Sequence, residues 1–173
     1  MKKPTAQAEI FEALLTPHIP ALYKTAYRLT GSNDKAEDLV QELLVKLYPK
    51  TDEIQTVQAL GPWLKKALYR QFVDELRKTA RRPEGRLAGF QDEIETVKAP
   101  SDNPEKMAEI AQIRENLQDA LNILDQRHRS VVLMHLAEGY TLKEIATIHN
   151  APAETIKTQF RRAKTRLKKY LKM

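Results

Sequence analysis

Apolar residues recur three and four positions apart along most of this chain, and no stretch alternates apolar with polar residues as a half-buried strand does. That spacing wraps one stripe along a helix, so the chain must bury helical stripes against one another. In "KAEDLVQELLVKLY" the stripe is Ala36, Leu39, Val40, Leu43, Leu44 and Leu47. Only five glycines and no cysteine occur in 173 residues. The expected fold class is all-α, as two small helical domains joined by a flexible linker. Disulfides, thiolate metal sites and cysteine nucleophiles are excluded, and the composition suits a reducing compartment. No run of eighteen apolar residues and no signal-peptide core is present, so the expectation is a cytoplasmic protein without membrane insertion.

Helix-stop and helix-start signals divide the chain. A first helix is expected over 7–29, with Ile10, Leu14, Leu22, Ala26 and Leu29 inward and Pro17 and Pro20 bending or dividing it. Gly31 is a C-terminal cap, and Asp34 with Glu37 makes a capping-box-like start for the second helix, which Pro49 stops. The segment 50–61 reads as a connector with a few apolar anchors. Pro62 opens a third helix to about residue 79, with Trp63, Leu64, Ala67, Leu68, Phe72 and Leu76 inward. Between residues 81 and 103 glycines and prolines break the pattern, which predicts a linker. The domains are therefore 1–80, 81–103 as linker, and 104–173. Further helices are expected over 104–124 (Met107, Ile110, Leu117, Leu121 and Leu124 inward), 126–138 capped by Asp125, 141–149 and 153–172.

Charge is unevenly distributed. Residues 139–173 carry nine Lys/Arg against two acidic residues, whereas residues 83–126 carry four against ten. A basic tail on a chain of net charge +6 favours nucleic acid as its partner. Within that tail, "YTLKEIATIHNAPAETIKTQF" has a helix-turn-helix layout. Leu142, Ile145, Ala146 and Ile148 face inward, and Ala146 is small where a second helix must cross. Asn150 sits at the turn, since asparagine tolerates the left-handed conformation. Ile156 and Phe160 anchor the second helix. A recognition helix presents its N-terminal residues to base edges, which assigns Lys157, Thr158, Gln159 and Arg161 to bases. Thr155, Arg162, Lys164, Arg166 and Lys168 are assigned to phosphates.

"LDQRHRSVVLMHLAEGYTLKEIATIHNAPAETIKTQFRRAKTRLKKYL" closely resembles the C-terminal domain of bacterial extracytoplasmic-function sigma factors of the sigma-seventy family. "LYKTAYRLTGSNDKAEDLVQELLVKLY" and "WLKKALYRQFVDELRKTARR" resemble their N-terminal domain, in the same order. The resemblance implies an alternative sigma factor that binds core RNA polymerase and directs promoter recognition, DNA melting and transcription initiation. It implies that Asp38, Gln41 and Glu42, with Leu39 and Leu43 beneath, dock on the beta-prime clamp helices, with the beta subunit as a further polymerase partner. It assigns the third helix and the connector before it to the promoter minus-ten element, and the helix-turn-helix, through Thr155, Lys157, Thr158, Gln159, Arg161 and Arg162, to the minus-thirty-five element. The linker would follow the RNA exit path. An anti-sigma factor is a common partner in the family and is expected here too. Two positions depart from the family pattern: Arg70 stands where asparagine is common, and Gln159 where arginine is common.

Trapping single-stranded DNA needs a basic groove and surfaces for unstacked bases. Lys65, Lys66, Arg70, Arg77, Lys78, Arg81 and Arg82 supply the basic strip, Tyr69 a stacking ring, and Asp74 a polar contact or an ion pair with Lys78. Residues 52–58 offer polar side chains for a flipped base. Trp63 and Phe72 are read as core. His18, His128, His135 and His149 lack metal-ligand spacing, and neither a glycine-rich phosphate loop nor a serine–histidine–acid pattern occurs. No metal, cofactor or catalytic activity is expected; the polymerase supplies the chemistry. A stand-alone helix-turn-helix regulator, or an interaction adaptor, is the competing reading. The regulator accounts for the tail but leaves the acidic face of "KAEDLVQELLVKLY" without a purpose; for the adaptor the basic tail is incidental.

Overall fold

The computed structural model describes residues 5–81 and 104–171, with side chains over 5–80 and 108–171. Among the described residues no strand occurs. The chain divides into two compact units, Met1–Thr79 and Ala80–Met173. Of the expected linker only Arg81 is described, as the last residue of a helix; the rest lies outside the described residues.

In the first unit α1 spans Ala6–Leu15 and starts at Thr5, whose hydroxyl accepts from the Ala8 amide at 3.3 Å. The expected single first helix is two. Pro17 lies in a tight turn over Thr16–His18, and Pro20 in the first turn of α2, Ile19–Thr30. Both prolines sit where the missing N–H would have had no helical partner. Ile10, expected inward, is 42% exposed; Leu15 takes the buried position. Gly31 adopts φ 73°, which a Cβ would strain, and closes α2 through its N–H to Tyr27 O.

α3, Asn33–Leu47, is capped by Ser32 and not by Asp34; the serine hydroxyl accepts from the Lys35 amide, and Asp34 sits within the first turn. Its stripe of Ala36, Leu39, Val40, Leu43 and Leu47 is buried, and the helix packs on α2. After a turn at Tyr48–Lys50, the expected connector holds a short helix α4, Thr51–Gln55, which buries Thr51 and Ile54 and packs on α1. Tyr48 ties this corner to α1: its ring meets Phe11 edge to face at 5.3 Å, and its carbonyl accepts from Gln7. α5, Leu60–Arg81, then buries Leu64, Leu68, Tyr69, Phe72 and Val73.

In the second unit α6 spans Pro104–Asn122. Among its described side chains the last turns enter the core, through Ala120, Leu121 and, just beyond the helix, Leu124. Ile110 and Leu117, expected inward, are 43% and 46% exposed; the Met107 side chain lies outside the described residues. Asp125 caps α7, Gln126–Val132, accepting from the His128 amide at 3.0 Å. A wide π-type turn over Leu133–Ala137 follows, closed by the Glu138 N–H on Leu133 O. α8, Leu142–Ile148, and α9, Ala153–Tyr170, complete the unit; α7 and α8 both pack on α9. Among the described residues no helix is long and apolar enough to cross a membrane.

Candidate nucleic-acid and protein-docking faces

α3 separates its two sides sharply. Leu39 and Leu43 are buried, while Asp38, Gln41 and Glu42 are exposed on the outer face. The outer side chains are braced. Gln41 donates to Glu37 Oε1 at 2.9 Å, and Lys46 lies 3.9 Å from Glu42. Val45, which the periodicity reading passed over, is 72% exposed and falls three and four residues after Glu42 and Gln41. It adds an apolar member to the same face.

A second support comes from α5. Gln71, 5% exposed, points its amide at Leu39 O (3.4 Å), Glu42 Oε2 (3.2 Å) and Glu75 Oε1 (3.2 Å). Burial pushes the Glu75 carboxyl above the usual glutamate range; the Gln71 amide opposes this and the Glu42 charge adds to it. Gln71 was not legible as a site residue, because a polar residue at a core position breaks the apolar pattern without announcing why.

On the outer side of α5, Trp63, Lys66, Arg70, Asp74 and Arg77 follow one another three or four residues apart and so share a stripe. Arg70 and Asp74 are exposed, and Lys65, Lys66 and Arg77 are half-buried. Arg77 donates to Asp74 Oδ1 at 3.4 Å, the ion pair expected of Lys78. Two aromatic assignments exchange places. Tyr69 is 1% exposed, packed in the core, so its ring is not offered to a base; Trp63, read as core, is 38% exposed on the stripe. The polar residues of 52–58 sit on and after α4, where Asp52, Glu53, Gln55 and Gln58 are exposed.

The helix-turn-helix is built by local signals. Thr141 and Glu144 form a capping box: the Glu144 amide donates to Thr141 Oγ1, and the Thr141 amide donates to Glu144 Oε2 at 2.8 Å. Asn150 takes φ 43° at the turn, and Pro152 precedes α9. Ala146 is 7% exposed beneath α9, whose Ile156 and Ala163 are fully buried. Phe160 is half-buried, with its ring edge to face on His135 at 4.7 Å; His135 Nδ1 in turn lies 2.7 Å from Tyr140 O. Thr155, Lys157, Arg161 and Arg162 are exposed, and Thr158 and Gln159 are half-buried. Lys157 Nζ donates to Glu154 Oε1 at 2.6 Å. Gln159 Oε1 is buried without a hydrogen-bond partner.

The α6–α7 corner holds α9 from behind. Arg129 is buried and donates through Nε to Leu121 O at 3.0 Å and through a terminal nitrogen to Leu124 O at 3.2 Å. Desolvation brings its pKa down to about 10, against the pull of Asp125. Burial would raise the Asp125 carboxyl, but the His128 amide, the His128 imidazole at 2.6 Å and Arg166 of α9 at 3.3 Å together hold it below the usual aspartate range. Among the described residues no three His, Asp or Glu side chains gather as a metal site requires.

Comparison with known proteins gives these faces a family. Residues 14–82 match sigma-70 region 2, and residues 114–167 match sigma-70 region 4. The chain is 30% identical over 149 residues to the ECF RNA polymerase sigma factor EcfG of Rhodopseudomonas palustris, covering 86% of this chain and 78% of that one. It is 28% identical over 161 residues to ECF RNA polymerase sigma factor SigE of Mycolicibacterium smegmatis, covering 93% of this chain but 61% of that longer one. With RNA polymerase sigma factor SigV of Bacillus subtilis the identity is 26%, over 94% of this chain and 92% of the relative. Among solved structures it is similar to the sigma factor RpoE of Bartonella quintana, crystallised with the anti-sigma factor NepR: TM-score 0.62, 29% identity, 94% and 97% of the two chains. The chain belongs to the sigma-70 family of RNA polymerase sigma factors, among its extracytoplasmic-function members.

Proposed function

We propose that the chain is an alternative sigma factor that binds core RNA polymerase, recognises promoter DNA and directs melting and initiation. The observation that carries this reading is the pairing of two charged faces, each in its own family-matched segment. An exposed acidic face on α3 lies within the region 2 match, and all but the last three residues of the exposed basic helix α9 lie within the region 4 match. Asp38, Gln41 and Glu42, underlain by Leu39, form the face for the polymerase clamp. Trp63, Lys65, Lys66, Arg70, Asp74 and Arg77 meet the minus-ten element; Tyr69 leaves that set because it is core. Thr155, Lys157, Thr158, Gln159, Arg161 and Arg162 read the minus-thirty-five duplex. The working division is 1–80 for polymerase and minus-ten contacts, 81–103 as linker and 104–173 for the duplex. The setting is cytoplasmic, the chain carries out no bond-making chemistry itself, and an anti-sigma factor is a further partner.

The test is reconstitution with core polymerase and a promoter library. Transcription above core alone is expected, and Asp38→Ala with Glu42→Ala should weaken polymerase binding by about tenfold, as loss of close interfacial charge pairs does. Tight duplex binding by the free chain, with no stimulated transcription, would instead establish a stand-alone regulator.

A further inference from the structure

We propose that Gln71 is a positioning residue for the polymerase-docking face, holding Glu42 from the rear through the juxtaposition of α3 and α5. This rests on the docking reading above and deepens it. The geometry is unusual for a core position. Gln71 is 5% exposed, and its Oε1 is buried without a hydrogen-bond partner. An orphaned buried acceptor costs about 1–3 kcal/mol, so an apolar residue of similar size would suit the core better. Its Nε2, by contrast, faces three acceptors: Leu39 O at 3.4 Å, Glu42 Oε2 at 3.2 Å and Glu75 Oε1 at 3.2 Å.

An amide nitrogen carries two hydrogens, so three acceptors at these distances share them. Two of the three belong to α3, and one of those is the outward-facing carboxylate itself. The other groups around Glu42 are the Lys46 ammonium at a loose 3.9 Å and the Glu75 carboxyl, a like charge that hydrogen-bonds to it only when protonated. Fixing a rotamer-rich side chain before binding removes part of the entropy lost at the interface. Glu75 competes for the same nitrogen and repels Glu42, so the charged groups facing this amide are Glu42 and Glu75, with Lys46 on the rim. Gln71 also sits beside Arg70 on the helix assigned to the minus-ten element, so the same residue joins the two faces of the first unit mechanically.

The experiment is a double-mutant cycle on the full chain, measuring affinity for core polymerase. Gln71→Met keeps the volume and removes the donor. It is expected to weaken binding about fivefold, as is usual for coupled neighbours, and to have no further effect once Glu42→Ala is present. Thermal melting of each variant accompanies the cycle. An additive effect of Gln71→Met in the Glu42→Ala background marks a merely structural role and overturns the proposal. So does unchanged affinity of Gln71→Met while Glu42→Ala weakens binding. If Glu42→Ala itself leaves polymerase affinity unchanged, the docking reading fails and this inference fails with it. A second measurement needs no core substitution: carboxyl titration of Glu75 by NMR, with and without Glu42→Gln. Glu75 is expected to titrate lower in the variant, and an unmoved titration overturns the contact.

Discussion

Arg129→Met should destabilise the second unit strongly, although it removes a buried charge that the core has to desolvate. The guanidinium donates to two carbonyls at the end of α6, Leu121 O and Leu124 O. Hydrogen bonds from a charged donor contribute about 1.5–3 kcal/mol each, so the pair contributes roughly 3–6 kcal/mol. Desolvation opposes them: a pKa lowered from 12.5 to about 10 corresponds to about 3.5 kcal/mol at ~1.4 kcal/mol per unit. After the substitution Leu121 O keeps the Leu124 amide at 3.1 Å, but Leu124 O loses its side-chain donor. An unsatisfied buried carbonyl adds about 1–3 kcal/mol. The balance is a loss of about 0.5–5.5 kcal/mol, centred near 3 kcal/mol. For a unit of this size each kcal/mol lowers Tm by about 4–8 °C, which makes the expected drop about 10–20 °C. Calorimetry of the full chain measures it on the transition that belongs to the second unit. Arg129→Lys should not rescue, because a single ammonium does not reproduce the planar fork that reaches both carbonyls. A variant melting within about 2 °C of the parent, or above it, would show that the buried cation is a net liability and refute the reasoning.

Three further outcomes are expected. Asp125 has a folded pKa below its unfolded value, so the stability it contributes is present above the unfolded pKa near 3.9 and lost as pH falls through the folded value. The Tm gap between the parent and Asp125→Asn, which keeps the cap but not the charge, should be at full size near about pH 5 and shrink below about pH 4; a gap unchanged down to about pH 2 would contradict this. Tyr69→Ala should cost about 3–5 kcal/mol of stability in the first unit, whereas Trp63→Ala should leave Tm nearly unchanged and reduce promoter opening by permanganate footprinting. The reverse pattern would return Tyr69 to the surface. Arg162→Ala should weaken duplex binding about equally across sequences and flatten the salt slope by about 1, whereas Lys157→Ala should weaken it selectively at the preferred promoter; equal losses on all sequences would remove Lys157 from base readout.

The helix-turn-helix was legible residue by residue, because each signal is local: Asn150 for the left-handed turn, Ala146 for the crossing, Asp125 for the cap before α7. Elsewhere the periodicity reading assumed that every apolar stripe finds a partner. Ile110 and Leu117 have the spacing of a buried stripe and are exposed. α4 was read as a connector because a helix of five residues is too short to show a period. Ser32 took the cap from Asp34 because both side chains are competent and only the emerging backbone direction decides between them. Trp63 and Tyr69 were exchanged for a similar reason. Composition says that an aromatic residue is present, but helical phase relative to the core says which one is outside. Gln71 needed coordinates, since its three acceptors come from two different helices.

The ion pair between Glu154 and Lys157 bears on how the chain searches a genome. A free lysine at the front of α9 would grip any phosphate. Lys157 already holds a carboxylate at 2.6 Å, so moving it to a random phosphate exchanges one anion for another and leaves Glu154 facing a polyanion. On the proposed reading both ends would find work at a matching site: an ammonium can donate to guanine, and a carboxylate can accept from cytosine N4. Wrong sites outnumber right ones by about 10⁶ to 10⁹, so an acid placed among the cations lengthens the time spent unbound between them. If α9 reads the duplex as proposed, the pair would make the helix a worse binder of DNA in general and a better judge of one sequence in particular.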